Sequence, residues 1–198
     1  MGTIFFAGIY GVGKSTVIDK ISNMTGVRAY SAGDLISEKN GELYGANKEV
    51  SNKDYNQRIL IQRVVELLES NEKILLAGHF CIINKLGKIE ELPSYVFDKI
   101  NLEKIILLEA PTETIITHLN VRDGKCYSQE LIQSMLITER EAAQNASERL
   151  GIPLIKYEMQ YSEADETFLI DQIKNVKVVG RINKVYVVPL LKGEMENV

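Results

Sequence analysis

Three glycines, a lysine and two hydroxyl residues stand at fixed spacing near the start of this 198-residue chain. The pattern G-x-x-x-x-G-K-[ST] is filled by Gly8, Ile9, Tyr10, Gly11, Val12, Gly13, Lys14 and Ser15, and Thr16 follows it. The glycines let the backbone curl so that successive N–H groups face phosphate oxygens. We expect Lys14 to reach the β- and γ-phosphates and the Ser15 hydroxyl to bind Mg²⁺. The motif therefore predicts a site for ATP with Mg²⁺, in which Lys14 is exposed and contacts only phosphate.

Strand and helix patterns alternate along the chain, which predicts a parallel sheet with helices on both faces. Short apolar runs predict five strands, at residues 3–8, 27–31, 73–77, 105–108 and 154–157. Helical periodicity predicts helices from the glycine-rich loop to Gly26, around residues 60–68, from Pro111 through Leu119, over 129–150 and over 163–175. We expect an α/β three-layer sandwich of the P-loop NTPase type, built on a five-stranded parallel sheet.

The end of the chain differs in composition from the alternating segment. Residues 176–181 and 184–188 are two valine-rich runs around a Gly- and Asn-containing middle, a pattern typical of a β-hairpin. We therefore expect one domain over residues 1–175 and a C-terminal hairpin within 176–198. Because a lone hairpin is marginal in water, its strands should pack on the edge of the parent sheet or pair with another subunit. A homo-oligomer remains open.

Composition excludes several classes of function. The net charge of −4 and the pI near 5.4 argue against broad binding to nucleic-acid backbones. Cys81 and Cys126 are the only cysteines, too few for a disulfide framework. No apolar run approaches the length needed to span a membrane, and the start does not resemble a signal peptide. We expect a cytoplasmic protein without membrane partners.

Three segments of the chain resemble the adenylate kinase family, particularly its archaeal type. The glycine-rich loop is similar to the family's G-x-P-G-x-G-K-[ST]-T, with Tyr10 where proline is usual. Ser31-Ala32-Gly33-Asp34-Leu35 resembles the Ser-Thr-Gly-Asp-Met/Leu segment that lines the monophosphate site. His79, Gly87 and Leu92-Pro93 resemble the segment that follows the third strand. The likeness covers about residues 1–175 and implies a kinase that transfers phosphoryl groups between nucleotides.

Two positions depart from the family pattern. Archaeal-type enzymes usually end the third strand in Asp-x-His, whose Asp helps to hold Mg²⁺ through water, whereas this chain has Ala77-Gly78-His79. Ser37 stands where many members carry an arginine for the phosphate of the acceptor. These departures leave open two alternatives: an acceptor that lacks a phosphate, or a phosphate that other residues hold.

Four side chains are weighed on their chemistry. Asp34 follows the second strand, where it could orient an acceptor hydroxyl or a metal-bound water, or could instead cap the helix at Leu35. Glu109 ends the fourth strand at the same edge, where it could act in the outer shell of Mg²⁺ or contact the base, or could instead be an acid in the first turn of a helix. His79 could bind substrate there or be a satisfied core histidine. His118, on a helix away from that edge, is expected to be structural or exposed to solvent.

The family resemblance also implies a lid between two helices, at about residues 120–128. This segment carries Arg122 and Lys125, with Gly124 as a hinge. Phosphoryl transfer spreads negative charge over oxygens, so a cation delivered by a closing lid is the expected device. Arg140, on the next helix, is similar in placement to the second arginine of lid-type kinases, although it could simply form surface pairs with Glu139 and Glu141.

Together these observations predict an ATP-dependent phosphotransferase that acts on a nucleotide or nucleoside. Lys14, Arg122 and Asp34 are the expected catalytic residues, and His79 and Arg140 join Asp34 as acceptor-binding candidates. Two alternatives remain open. One is a kinase for another metabolite or a nucleic-acid end, and the other is an ATP-binding regulator or slow ATPase without a small-molecule acceptor.

Overall fold

A parallel sheet lies at the centre of the computed structural model, which describes residues 2–40, 53–84, 86–174 and 186–187. In chain order the elements are β1 (Gly2–Ala7), α1 (Lys14–Thr25), β2 (Arg28–Ser31), α2 (Ala32–Asn40), α3 (Lys53–Ser70), β3 (Lys73–Ala77), β4 (Cys81–Ile83), β5 (Ile89–Glu91), α4 (Ser94–Lys99), β6 (Leu102–Glu109), α5 (Thr112–Asp123), α6 (Gln129–Leu150), β7 (Leu154–Glu158), α7 (Glu163–Lys174) and β8 (Tyr186–Val187).

The order of strands in the sheet is β2-β3-β1-β6-β7-β8, and every neighbouring pair is parallel. The five predicted strands are therefore confirmed, and β1 is buried along its whole length, as a central strand covered on both faces must be. β4 and β5 form a separate antiparallel pair after β3, which the sequence did not predict. This arrangement brings the carboxyl ends of β1, β2 and β3 to one edge, where open parallel sheets bind ligands.

The predicted C-terminal hairpin falls mostly outside the described residues. Within 176–198 only β8 is described, and it pairs in parallel with β7 through Ile155 with Tyr186 and Lys156 with Val187. The hairpin and the division at residue 175 stay predictions.

Two hydrophobic cores cover the two faces of the sheet. Helices α1, α5 and α7 pack on one face, and α2, α3 and α4 pack on the other. Helix α6 contributes to both, with Ile132 and Met135 in the first core and Ala142, Ala143 and Ala146 in the second. Its middle turn therefore lies between the cores, level with the edge where β1 and β3 end. None of the helices in the described part of the chain is long and apolar enough to cross a bilayer.

Two boundaries differ from the predicted ones for identifiable reasons. β6 begins at Leu102 rather than 105. The prediction started at 105 because Lys104 interrupts the apolar run, but Lys104 is buried within the strand and its Nζ donates to the carbonyl oxygen of Gln172 at 2.6 Å. α5 continues to Asp123 rather than ending at Leu119, because its terminating glycine is Gly124, which has a φ of 63°. The segment between α5 and α6 is consequently shorter than the predicted lid of residues 120–128.

Candidate functional site

The glycine-rich loop joins β1 to α1 and curls over the start of that helix. Gly8 has a φ of 144°, and a Cβ placed there would lie 2.6 Å from the carbonyl oxygen of Leu108, so only glycine fits. Gly13 has a φ of 94° and precedes the first residue of α1, where Ser15 and Thr16 are exposed. Free N–H groups at a helix start attract anions. The loop therefore has the geometry of a phosphate site.

Not every residue of the motif can offer its side chain to a ligand. Ile9 and Val12 are fully buried in the core beneath the loop, so only their backbone groups are available to phosphate. Tyr10, Gly11, Gly13, Lys14, Ser15 and Thr16 line a cleft of about 1090 Å³ that opens at the carboxyl edge of the sheet.

The structure corrects the prediction for Lys14. Its side chain is only 8% exposed, and its Nζ donates to the carbonyl oxygens of Gly8 at 2.6 Å and Ile9 at 2.9 Å. The loop is curled so that its N–H groups point outward and these carbonyls point toward the ammonium. The ammonium has three N–H donors and can bond both. Lys14 is therefore part of the loop's own structure as well as a candidate phosphate ligand.

His79 lies against the loop, at the end of β3. Its Nδ1 is 2.7 Å from the carbonyl oxygen of Gly8, so we assign the Nδ1 proton to that bond, and in the neutral ring Nε2 carries the lone pair. Lys14 Nζ is 3.4 Å from the same nitrogen, and the Tyr10 ring lies 4.2 Å from the imidazole centre. Because His79 lines the cleft, it is both held by the protein and accessible to a ligand.

A second part of the cleft is formed by β2, α2 and α3. Asp34 lies in the first turn of α2, which begins at Ala32, so it is not the cap of a helix starting at Leu35. Its backbone N–H lies 3.5 Å from the Ser31 hydroxyl, and no residue in the described part of the chain bonds its exposed carboxylate. Asp34 thus faces the cleft with its charge available.

Gln57, which the sequence analysis did not single out, lines the same part of the cleft. It is 5% exposed, and its Oε1 has no hydrogen-bond partner among the residues that the structure describes. An unpaired buried acceptor costs free energy, so it needs an explanation. The walls beside it are apolar, formed by Leu60, Val96 and Phe97. This combination of apolar walls and a few polar groups is typical of a small-molecule site.

Arg122 also lines the cleft, from the last turn of α5. Its Nε and Nη2 donate to the two carboxylate oxygens of Asp123 at 2.6 and 2.7 Å, and the Tyr127 hydroxyl donates to the same carboxylate at 2.7 Å. The hydrogen bond to Asp123 raises the pKa of Arg122 further above its already high value. Its charge is permanent, and a phosphate must compete with Asp123 for it.

Arg140 does not line the cleft. Its Nε donates to Oε1 of Glu109 at 2.7 Å, and it is exposed. One residue along a helix turns the side chain by about 100°, so Arg140 points away from the side on which its neighbour Glu139 is buried. The structure therefore separates Arg140 and Glu109 from the other candidates and pairs them with each other, rather than with Glu139 or Glu141.

His118 is closer to the loop than predicted. Its Nδ1 is 2.9 Å from the carbonyl oxygen of Gly11, and its ring meets Tyr161 edge to face at 4.9 Å. Tyr161 has a φ of 55°, which is rare for a non-glycine residue, and burial raises its pKa to about 12. Both rings line the cleft. Sequence spacing within α5 could not show this contact because it depends on how α5 docks on the loop.

Glu139 is the second residue that the sequence analysis missed. It is 1% exposed, and its carboxylate accepts N–H bonds from Gly8, Phe80 and Cys81 at 2.8–3.0 Å. Burial raises the pKa of this carboxyl, while the N–H donors and the charge of Lys14 oppose that shift. Both oxygens already accept N–H bonds, which fits the ionised form. A sequence signal existed, since Glu139 falls on the stripe of α6 that carries Met135 and the inward alanines.

Comparisons with known proteins agree with this geometry. The model of the AAA domain family matches residues 7–135. The adenylate kinase of Thermoplasma acidophilum is 25% identical over 135 residues, covering 65% of this chain and 72% of that protein. The adenylate kinase of Methanopyrus kandleri is 26% identical over 134 residues, covering 63% of this chain and 70% of that protein. A shikimate kinase structure from Bacteroides thetaiotaomicron superposes with a TM-score of 0.55 at 12% identity, covering 87% of this chain and 96% of the other, so the two share a fold.

Proposed function

Because the chain belongs to the AAA domain family of P-loop proteins, we propose that it transfers the γ-phosphoryl group of ATP to a nucleotide or nucleoside. One observation carries the proposal. A single cleft is lined by the glycine-rich loop and His79 at one end and by Asp34 and Gln57 in its second part. A donor and an acceptor bound there would be adjacent, and positioning is most of what phosphoryl transfer requires.

ATP would occupy the end of the cleft formed by the loop. The loop N–H groups and the start of α1 bind the phosphates, and Lys14 turns from the carbonyls of Gly8 and Ile9 to the β- and γ-phosphates. Arg122 lines the cleft from α5 and is bonded to Asp123, and its charge would act on the transferring oxygens once these compete with Asp123 for it.

The oxygen donors that line the cleft fit Mg²⁺. The Ser15 hydroxyl is exposed in the first turn of α1, the Asp34 carboxylate in the second part of the cleft has no bond to any described residue, and hard cations prefer such oxygen ligands. Within the described ranges there is no group of three His, Cys, Asp or Glu residues that could hold a metal ion. We therefore assign the ion mainly to Ser15 and the phosphates. The ion would neutralise charge on the β- and γ-phosphate oxygens.

The acceptor would lie beside Asp34, His79 and Gln57. Its attacking oxygen bonds the γ-phosphorus as the bond to the β–γ bridging oxygen breaks and ADP leaves, so no covalent enzyme intermediate forms. Where the acceptor is a hydroxyl, its proton would pass to Asp34 or to Nε2 of His79. Because no described residue bonds the Asp34 carboxylate or Gln57 Oε1, these oxygens favour an acceptor that carries O–H or N–H donors, as a nucleoside does.

A second candidate is an ATP-binding regulator or slow ATPase. Two observations favour it. β3 ends in Ala77, where the archaeal-type adenylate kinases that the chain resembles usually have a carboxylate. Arg122 is bonded to Asp123 through both carboxylate oxygens.

A panel of nucleosides and nucleoside monophosphates tests the proposal, with ADP formation from ATP as the readout. We expect at least one acceptor to raise the rate of ADP formation well above the rate without acceptor, and the Lys14→Met protein to show no such increase. Tight ATP binding with no dependence on any acceptor in the panel would contradict transfer to a nucleotide or nucleoside and would favour the regulator.

A further inference from the structure

A buried carboxylate joins helix α6 to the glycine-rich loop. Glu139 Oε1 accepts the N–H of Gly8 at 3.0 Å, and Oε2 accepts the N–H groups of Phe80 and Cys81, each at 2.8 Å. Gly8 follows β1, and Phe80 and Cys81 follow β3, its neighbour in the sheet. The parallel ladder has ended at these positions, so their N–H groups need another acceptor. Glu139 supplies it.

We infer that Glu139 is a positioning residue for phosphoryl transfer, which fixes the start of the phosphate-binding loop through the N–H of Gly8. The inference rests on the proposed function only in that the loop must bind ATP. Glu139 itself does not line the cleft.

The bonds around Gly8 explain why its orientation would matter. Its N–H is held by Glu139, and its carbonyl oxygen accepts from Lys14 at 2.6 Å and lies 2.7 Å from Nδ1 of His79. Side chains therefore fix both ends of this residue. Because Gly8 is the first residue of the loop and has a φ of 144°, its orientation sets the direction in which the following N–H groups point.

A carboxylate suits this place better than its amide would. Two oxygens together accept from three N–H groups, whereas an amide has one oxygen and would turn its own N–H groups toward backbone donors. The charge also makes these bonds stronger than neutral ones. The positive charge of Lys14 favours the ionised form of Glu139 and so opposes the rise in its pKa that burial causes. The cation that we expect to bind phosphate therefore also stabilises this buried carboxylate.

Helix α6 also adjoins a segment that lines the cleft through Lys125 and Tyr127. The helix begins directly after residues 124–128, which connect it to the end of α5 that carries Arg122. Glu139 lies in its middle turn, so one rigid element connects this segment to the phosphate-binding loop.

The test compares Glu139→Gln with native protein by calorimetric titration of ATP with Mg²⁺, and by steady-state kinetics with the best acceptor. We expect the Kd and KM for ATP to rise about tenfold or more, the size of one lost charge-assisted hydrogen bond, with the KM for the acceptor unchanged. Glu139→Asp keeps the charge but is shorter, and should give an intermediate loss.

Two variants of the same helix serve as controls. Glu141→Gln removes an exposed carboxylate two residues away, and Ser147→Ala removes a buried hydrogen bond to the carbonyl oxygen of Ile152 without reaching the loop. Both should leave the Kd for ATP unchanged. A Glu139→Gln protein that loses thermal stability but binds ATP as native protein does would overturn the inference, because the residue would then be purely structural.

A measurement with Glu139 in place covers the case in which Glu139→Gln does not fold. In Cys126→Ser protein, Cys81 is the remaining thiol; it is buried beside Glu139 and its N–H is one of the three donors. The inference requires that opening this contact releases the loop, so ATP at ten times its Kd should slow modification of Cys81 by an aromatic disulfide reagent about tenfold. Equal rates with and without ATP would overturn the inference.

The outcomes also separate this inference from the proposed function. If native protein binds ATP but phosphorylates no acceptor, the proposed transfer is contradicted. The Kd values for ATP of the native and Glu139→Gln proteins still test the role of Glu139. Acceptor-dependent ADP formation with equal ATP affinity in native and Glu139→Gln proteins would contradict the inference alone.

Discussion

Replacing Lys14 by methionine should weaken the fold as well as ATP binding. The Nζ group donates two hydrogen bonds to loop carbonyls, of Gly8 at 2.6 Å and Ile9 at 2.9 Å, and the side chain is buried. Bonds from a charged donor contribute about 1.5–3 kcal/mol each, but the Gly8 carbonyl keeps its contact with His79, so we expect a net loss of about 2–3 kcal/mol. For a chain of this length that lowers Tm by roughly 4–12 °C.

Differential scanning calorimetry of the Lys14→Met protein without nucleotide measures this loss of stability. Methionine is similar to lysine in volume, so the substitution mainly removes the charge and its two hydrogen bonds. Lys125→Met is the matched control, because Lys125 lines the same cleft but is exposed, and its Tm should stay within about 2 °C of native. An unchanged Tm for Lys14→Met would refute the structural role of the ammonium. Unchanged ATP affinity in the same protein would refute the assignment of the loop as the phosphate site.

Three further substitutions test the rest of the cleft. Arg122→Ala should lower kcat at least about tenfold while the Kd for ATP, measured by calorimetry, changes little, because Asp123 holds the guanidinium until charge develops on the phosphates. Arg140→Ala should leave kcat and KM within about twofold of native, since Arg140 pairs with Glu109 outside the cleft and exposed pairs are weak. Gln57→Leu should raise the KM for the acceptor, and it should also raise Tm because it removes a buried oxygen that has no partner among the described residues; an unchanged acceptor KM would exclude Gln57 from the acceptor site.

The parts of this molecule that the sequence predicts are those encoded by neighbouring residues. The glycine-rich loop is one such part, because its phosphate site is made by the backbone of consecutive residues. The five parallel strands are another, since each is a continuous apolar run long enough to be recognised alone. β6 shows the limit of such prediction. Lys104 breaks its apolar run, and it can be buried there only because its ammonium donates to the carbonyl oxygen of Gln172, far away in the chain.

The residues that the sequence did not place correctly depend on contacts between distant segments. Glu139 is separated from Gly8 by 131 positions, and His118 from Gly11 by 107. A glutamate on a helix is most often exposed, so composition alone favours a surface role for Glu139 over a buried one. Only its place on the inward stripe of α6 could have indicated otherwise, and that stripe does not reveal which N–H groups lie opposite.

The two parts of the cleft differ in how their polar groups are satisfied, and this difference explains why the donor is easier to infer than the acceptor. At the loop, Lys14, His79 and Arg122 are all bonded within the protein, so the phosphate site is assembled in advance. In the second part, Asp34 and Gln57 carry oxygens that no residue within the described ranges bonds, and the two residues come from helices that no short motif connects. A site made by the backbone of consecutive residues can be recognised from their spacing alone. A site whose polar groups are bonded only when the ligand is present can be inferred only from a structure that shows those groups together.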